Sequence, residues 1–403
     1  ETVAFADGEN RRVLAVYDGE KKLPLQYRED GSFLFLAKDV PPKGYKVFAL
    51  REEESDQDPV MLASPEHMEN GYFILEFNEK GQFSRIYDKL ARREVLKPGQ
   101  AGNVLVTYED RPHNYDAWDV NNYYTEKSWE MDQVERIEVT ENGPVRAYVR
   151  IERKYLDSTV VQNICLYRDI PRIDITNEID WKEHQIFVRA LFPVDVHANE
   201  AAFDIQYGNV KRATHYNTSW DFAKFEVCAH KWLDLSEDGY GVSLLNDCKY
   251  GCSVHDGVIG LSLLKSAVAP NPDADKERHR FTYSLYPHSG DWKEANTVAQ
   301  AYRLNNPSQA VIKETQGGFL KDAYSFVTCN RDNVIVEVVK KAEDSEEIVV
   351  RLYECYNRRT SAELVFGEAL AAVSECSMLE KELSVGQMAP DSEPVLLSDG
   401  RTV

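Results

Sequence analysis

Residues 172–181, RIDITNEIDW, decide the fold. Ile173, Ile175, Ile179 and Trp181 fall on one side of an extended chain, and Asp174, Thr176, Glu178 and Asp180 on the other. A period of two with one wet side predicts an antiparallel sheet packed on a single face.

Working outward, residues 145–153 and 160–166 read as strands on one side of this stretch. On the other side, 188–192, 225–229, 242–245, 258–264 and 281–286 do the same. Upstream, 72–77 and 83–87 flank a turn at 78–81, and residues 1–50 alternate short apolar runs with Asp30-Gly31 and Pro41-Pro42-Lys43-Gly44. Downstream, 325–329, 334–339, 348–353 and 364–366 continue the pattern. The one helix signal is 291–300, with Asp291 as cap and Trp292, Ala295 and Ala299 along one side. Many short strands with turn signals between them predict an all-β protein of stacked antiparallel β-sandwiches.

An acidic break at 51–59, Asn305-Asn306-Pro307, and Gln316-Gly317-Gly318 punctuate the chain. They predict a partial β-sandwich over 1–58, a large central domain over 68–308, and a truncated C-terminal β-sandwich over 318–403. The chain opens in strand-like residues 1–5 without methionine and stops three residues after Asp399-Gly400. Both ends are therefore expected to be cuts in a longer protein.

With 403 residues and a hydrophobic content of 43%, core formation is no obstacle. The formal charge of -21 argues against a phosphate-backbone partner and otherwise serves solubility. Seven cysteines without a C-x-x-C pair fit a reducing compartment, so the expected location is cytoplasmic. No apolar run has the length of a membrane span, and no targeting segment or internal repeat is visible. The sequon Asn217-Thr218-Ser219 matters only in a secreted chain.

Three stretches carry chemistry. ATHYNTSWDFAKFEVCAHKWLDLSEDGYGVSLLNDCKYG, residues 213–251, mixes aromatics with hydrogen-bonding groups as a sugar-binding surface does. Within it, Phe222 and Phe225 read better as core, whereas Asn246, Asp247, Lys249 and Tyr250 read either as side chains that a strand delivers to a rim or as a turn with an internal ion pair. YDAWDVNNYY, residues 115–124, brackets Trp118 with Asp116 and Asp119: either a stacking platform with acceptors, or a polar turn with an anchoring tryptophan. PNPDADKERHRFTYSLYPH, residues 270–288, pins Asp273 and Asp275 in a proline-bounded loop. His255, His279 and His288 match no metal-ligand spacing and read as structural. No nucleophile elbow, dinucleotide fingerprint or P-loop is present. With 68 acidic residues, counting carboxylates cannot nominate a hydrolytic pair.

The chain resembles the C-terminal β region of the family 38 glycoside hydrolases, the α-mannosidases, in their cytosolic and bacterial branch. The resemblance rests on Asp116-Ala117-Trp118-Asp119-Val120, Phe192-Pro193-Val194, residues 214–221, Phe225-Glu226-Val227, His230-Lys231-Trp232 and Asp234-Leu235-Ser236-Glu237. It continues through residues 244–251, Pro272-Asp273-Ala274-Asp275, Tyr286-Pro287-His288 and Leu304-Asn305-Asn306-Pro307. It implies a central supersandwich similar to galactose mutarotase, and a separate zinc-bearing barrel that supplies nucleophile and acid/base for retaining hydrolysis of α-mannosides. No residue here matches those catalytic groups or the zinc ligands. The resemblance implies that Asp116, Trp118, Asp119, Asn246, Asp247, Lys249, Tyr250, Asp273 and Asp275 wall the substrate pocket or meet the catalytic domain. The implied partners are that domain and, through it, an α-mannoside or oligosaccharide; no cofactor, nucleic acid or membrane is expected for this chain itself. Two other readings stay open: a freestanding mutarotase-like enzyme using His215 or His288 beside Glu226, and a carbohydrate-binding module.

Overall fold

A computed structural model describes residues 2–6, 15–53, 60–313, 318 and 320–383. Most of the acidic break at 51–59, most of the turn at 316–318, and Asp399-Gly400 lie outside them.

The stretch that decides the fold forms the strand Ile173–Asp180 in the middle of a nine-stranded antiparallel sheet. The sheet runs Val134–Asn142, Arg146–Tyr155, Ser158–Tyr167, Ile173–Asp180, Arg278–Ser289, Tyr240–Asn246, Trp232–Glu237, Glu200–Ile205, Gly208–Ala213. A six-stranded sheet faces it, in the order Ser128–Glu130, Val104–Glu109, Ile186–Pro193, Val258–Leu264, Gly251–His255, Val227–Cys228. Ile175, Leu244 and Tyr283 of the large sheet share one core with Ala190, Phe192 and Leu261 of the smaller, and the Phe192 and Tyr283 rings meet edge to face at 6.1 Å. Alternation placed these apolar side chains on one face, and removing them from water is what joins the layers. The expected all-β architecture of stacked antiparallel sheets is what the chain adopts.

A five-stranded sheet over residues 62–94 closes one side of the same core with Met68, Phe73, Leu75, Phe83 and Ile86. A buried polar network locks it down. The fully buried Arg153 donates to the carbonyls of Lys80 and Gly81 at 2.9 and 2.8 Å and to Gln162 at 2.9 Å. Gln162 in turn donates to Asn177 and Tyr283, each at 2.9 Å. Burial without a carboxylate partner pushes the Arg153 guanidinium down to about 10.

Three expectations need correction. The far side of Ile173–Asp180 is not wholly wet: Asp174 is buried, and Arg172 donates to it at 2.8 Å. Further layers cover that side. Leu34 and Leu36 pack on Val145, Cys165 and Tyr167 at one flank; Trp292 and Tyr356 pack with Trp232 at the other. The helix begins later than predicted, at Thr297–Asn305. Asp291 caps only a turn, accepting from the amides of Lys293 and Glu294, and Asn296 at φ 54° separates that turn from the helix. The strand expected over 225–229 shortens to Val227–Cys228.

Candidate functional site

Strand register gathers four connections at one end of the two-sheet core. Glu109 pairs with Ile186 and Val188 with Leu264, so the segments after 109 and 264 leave beside the start of Ile186–Pro193. Cys252 pairs with Leu261, and the strand ending at Asn246 pairs with Tyr283. Residues 110–127, 181–185, 247–250 and 265–277 therefore share this end.

Asp116 and Asp275 meet on the segment after Leu264. Asp116 Oδ2 accepts from the Val268 amide at 2.6 Å; Asp275 Oδ2 accepts from the amides of Lys265 and Ser266 at 3.2 and 3.0 Å. Beneath them the buried Asp110 pairs with Lys265, burial raising its carboxyl while Lys265 opposes the shift. Above them, Tyr115 and Trp118 are 70% and 72% exposed, and Asp119 and Asp273 are also exposed. The other oxygen of Asp116 is shielded from solvent and has no hydrogen-bond partner among the described residues.

The candidates from 246 to 250 form a second group. Asn246 is buried; it donates to the His230 carbonyl at 2.7 Å and accepts from the Lys249 amide at 2.8 Å. Asp247 accepts from the Thr282 amide at 2.8 Å, and its other oxygen is likewise buried without a partner among the described residues. Lys249 Nζ lies 4.5 Å from the centre of the Phe281 ring, and the half-exposed Tyr250 ring lies 5.1 Å from His230. Asn246 and Asp275 thus hold the turns, while Trp118, Asp119, Tyr250 and Asp273 face outward.

The residue that sequence reasoning missed is Arg189. It projects from the outer face of the six-stranded sheet and joins two of the singled-out stretches: it donates to Tyr124 Oη at 2.7 Å and lies 3.1 Å from Glu226. Ser253 accepts from it at 2.7 Å, and Ser262 donates to Glu226. Burial pushes the Glu226 carboxyl up and Arg189 opposes it; burial also raises the Tyr124 phenol. Phe225 packs toward Tyr124, as its reading as core required, but Phe222 is exposed, as is Trp220 at 79%. The available signal was a lone arginine inside the otherwise apolar IFVRALFP.

Ser243, His288 and Asp234 have the composition of a hydrolytic triad without its geometry. His288 Nε2 meets both Asp234 at 2.9 Å and Ser243 at 3.1 Å, so one ring nitrogen serves both partners, and all three residues are buried. Ser243 also bonds Thr297 at 2.8 Å, which makes the cluster the anchor of the helix. The histidine–Glu226 pairing required by a mutarotase-like mechanism is not formed: His215 lies 3.8 Å from Asp221, His288 lies against Asp234, and Glu226 is held by Arg189.

Among the described residues no group of three or more His, Cys, Asp or Glu side chains is placed to hold a metal ion, and the seven cysteines are free thiols. No described helix is long and apolar enough to cross a membrane.

Fold and rim define a layered β region whose loop end presents aromatic rings and carboxylates. Residues 68–273 match the glycosyl hydrolases family 38 C-terminal domain, and residues 333–398 match the family 38 C-terminal beta sandwich domain. The chain belongs to glycosyl hydrolase family 38, of which it carries the C-terminal β region. Alpha-mannosidase G of Dictyostelium discoideum is 35% identical over 350 residues, spanning 84% of this chain and 31% of that protein. Human alpha-mannosidase 2C1 is 34% identical over 327 residues, spanning 80% of this chain and 31% of its own length. This chain therefore spans about a third of the curated relatives it matches. The crystal structure of an alpha-mannosidase from Enterococcus faecalis V583 superposes with a TM-score of 0.74 at 16% identity, over 94% of this chain and 49% of that one.

Proposed function

We propose that this chain is the non-catalytic C-terminal portion of a retaining, zinc-dependent α-mannosidase that releases mannose from α-mannosides in the cytoplasm. Its stacked sheets buttress a catalytic barrel carried by the remainder of such a protein, and its loop end faces that barrel. What carries the reading is the coincidence of two things: the match to the C-terminal domains of the family, and an end of the core where Trp118 stands exposed above Asp116. Zinc, on this reading, belongs with the barrel. On this reading the chain divides at 1–58, 68–308 and 318–403, with the first and last pieces flanking the central one. Asp116, Trp118, Asp119, Asn246, Asp247, Lys249, Tyr250, Asp273 and Asp275 serve the pocket wall or the domain interface. The outward-facing members make direct contact, and the turn-holding members position them.

The test is hydrolysis of a p-nitrophenyl α-mannoside by a full-length protein that contains this chain, with and without Trp118→Ala. A fall in kcat/KM with unchanged unfolding of the β region supports the reading; an unchanged rate removes this rim from function.

A further inference from the structure

Two exposed tryptophans, on separate segments, each stand between two pins. Trp118, 72% exposed, sits on a turn that closes on the Tyr115 carbonyl. Ahead of it, Asp116 accepts from the Val268 amide at 2.6 Å; behind it, the hydroxyl of the buried Tyr124 is held by Arg189 at 2.7 Å. Trp220, 79% exposed, sits on the one-turn helix Ser219–Phe222, closed by reciprocal bonds between Thr218 and Asp221. Ahead of it, Tyr216 stacks on His255 at 4.2 Å; behind it, Glu226 lies 3.1 Å from Arg189. The leading pins attach to different elements, the segment after Leu264 and the strand Gly251–His255. The trailing pins are one and the same guanidinium.

The chemistry of that group matters. Tyr108, Tyr124, Phe187 and Phe225 already cover this side of the sheet with aromatic rings, and an apolar side chain in place of Arg189 would extend them without taking a charge out of water. What the guanidinium adds is direction, because its donors project in a fixed planar fork. One arm donates to Tyr124; the other donates to Ser253 at 2.7 Å and faces Glu226. Ser253 belongs to the six-stranded sheet itself, so the fork registers both segments against the same rigid layer. Room is made for it at Gly260, where a Cβ would lie 2.5 Å from Arg189 Nη2. Ser262 donates to the other oxygen of Glu226 and fixes that carboxylate in turn.

We propose that Arg189 is a positioning residue that sets Trp118 and Trp220 in fixed relation, so that the two segments present one pre-formed surface to the α-mannoside. Loops ordered beforehand spare the ligand the entropy of ordering them. The inference rests on the pocket-wall side of the function proposed above and extends that wall to Trp220.

The test has two arms. In the first, amide hydrogen exchange of the 403-residue chain is compared with that of Arg189→Met combined with Glu226→Leu, and with that of Tyr124→Phe. The double variant should exchange faster across both 113–124 and 214–226, Tyr124→Phe across the first alone, and residues 62–94 should be unchanged in each. Urea midpoints show which variants are folded; if the double variant is not, Tyr124→Phe carries both arms. Exchange that stays slow in these segments of the folded variants overturns the positioning role, whatever the protein hydrolyses. In the second arm, a full-length protein that contains this chain acts on a p-nitrophenyl α-mannoside. The double variant, Tyr124→Phe and Trp220→Ala should each raise KM about three- to tenfold with kcat held within roughly twofold. With Trp118→Ala and Trp220→Ala already in place, the double variant should add nothing further, because Arg189 acts through those rings. Losses that multiply independently, or that follow the urea midpoint, give Arg189 a structural role only and overturn the proposal. An effect of Trp118→Ala with none from the folded double variant overturns it and leaves the pocket wall standing; no effect from any variant removes both.

Discussion

Arg189 Nη2 lies 3.1 Å from Glu226 Oε2 beneath the loop that covers the outer face of the six-stranded sheet, with both side chains almost withdrawn from solvent. This pair ties residues 225–227 to the strand Ile186–Pro193 and, through Tyr124, to the segment that displays Trp118. Removing one charge leaves the other buried and uncompensated. Glu226→Gln is expected to lower unfolding free energy by about 3–5 kcal/mol, whereas Arg189→Met combined with Glu226→Leu recovers most of the loss. Urea denaturation of the three chains measures both effects.

Gly81 is held at φ +66° where a Cβ would sit 2.6 Å from Ile151 Cγ2 and 2.8 Å from Arg153 Nη2. Gly81→Ala therefore adds backbone strain to a steric clash with the guanidinium that ties down the five-stranded sheet. A loss of about 1–3 kcal/mol is expected, read as a lower urea midpoint; an unchanged midpoint would show that the turn relaxes freely.

His255 stacks on Tyr216 at 4.2 Å and helps hold down the segment leading to Glu226. Burial holds its imidazole below the ordinary value of 6.5, and the Arg189 charge adds to the shift against Asp256. The unfolded chain then takes up the proton first as pH falls. The stabilisation is complete above about pH 6.5 and is lost as pH drops through the folded value. In urea midpoints across about pH 5 to 7, His255→Phe keeps the stack and should flatten this part of the profile; an unaltered slope would place the titration elsewhere.

How far the sequence could be read follows from where its information lies. Continuous apolar runs bounded by turn residues declare themselves, so 258–264 coincides with Val258–Leu264, and 242–245 falls inside Tyr240–Asn246, both buried on the two faces. Layers added outside the sheet are invisible to alternation, which is why Asp174 read as wet. Its burial comes from distant parts of the chain and is made tolerable by Arg172 and Ser284. Helix position failed for a local reason, the left-handed turn at Asn296. The rim candidates were legible as residue types, but whether a side chain holds a turn, as Asn246 does, or faces outward, as Trp118 does, depends on register between remote strands.

Trp118 is 72% exposed, so Trp118→Ala should change stability of the β region by no more than about 0.5 kcal/mol. In the full-length protein the same substitution should lower kcat/KM for an α-mannoside at least tenfold. Asp116→Asn keeps the acceptor for Val268 and should have a smaller effect than Asp116→Ala, which frees that loop. Equal effects of the two would show that charge, not loop position, is what Asp116 supplies.

The most direct measurement is hydrolysis of a p-nitrophenyl α-mannoside by this 403-residue chain alone, with zinc added, beside a full-length protein that contains it. A supporting β region predicts turnover from the full-length protein and none above the buffer rate from the isolated chain. Zinc-dependent turnover by the isolated chain would contradict it.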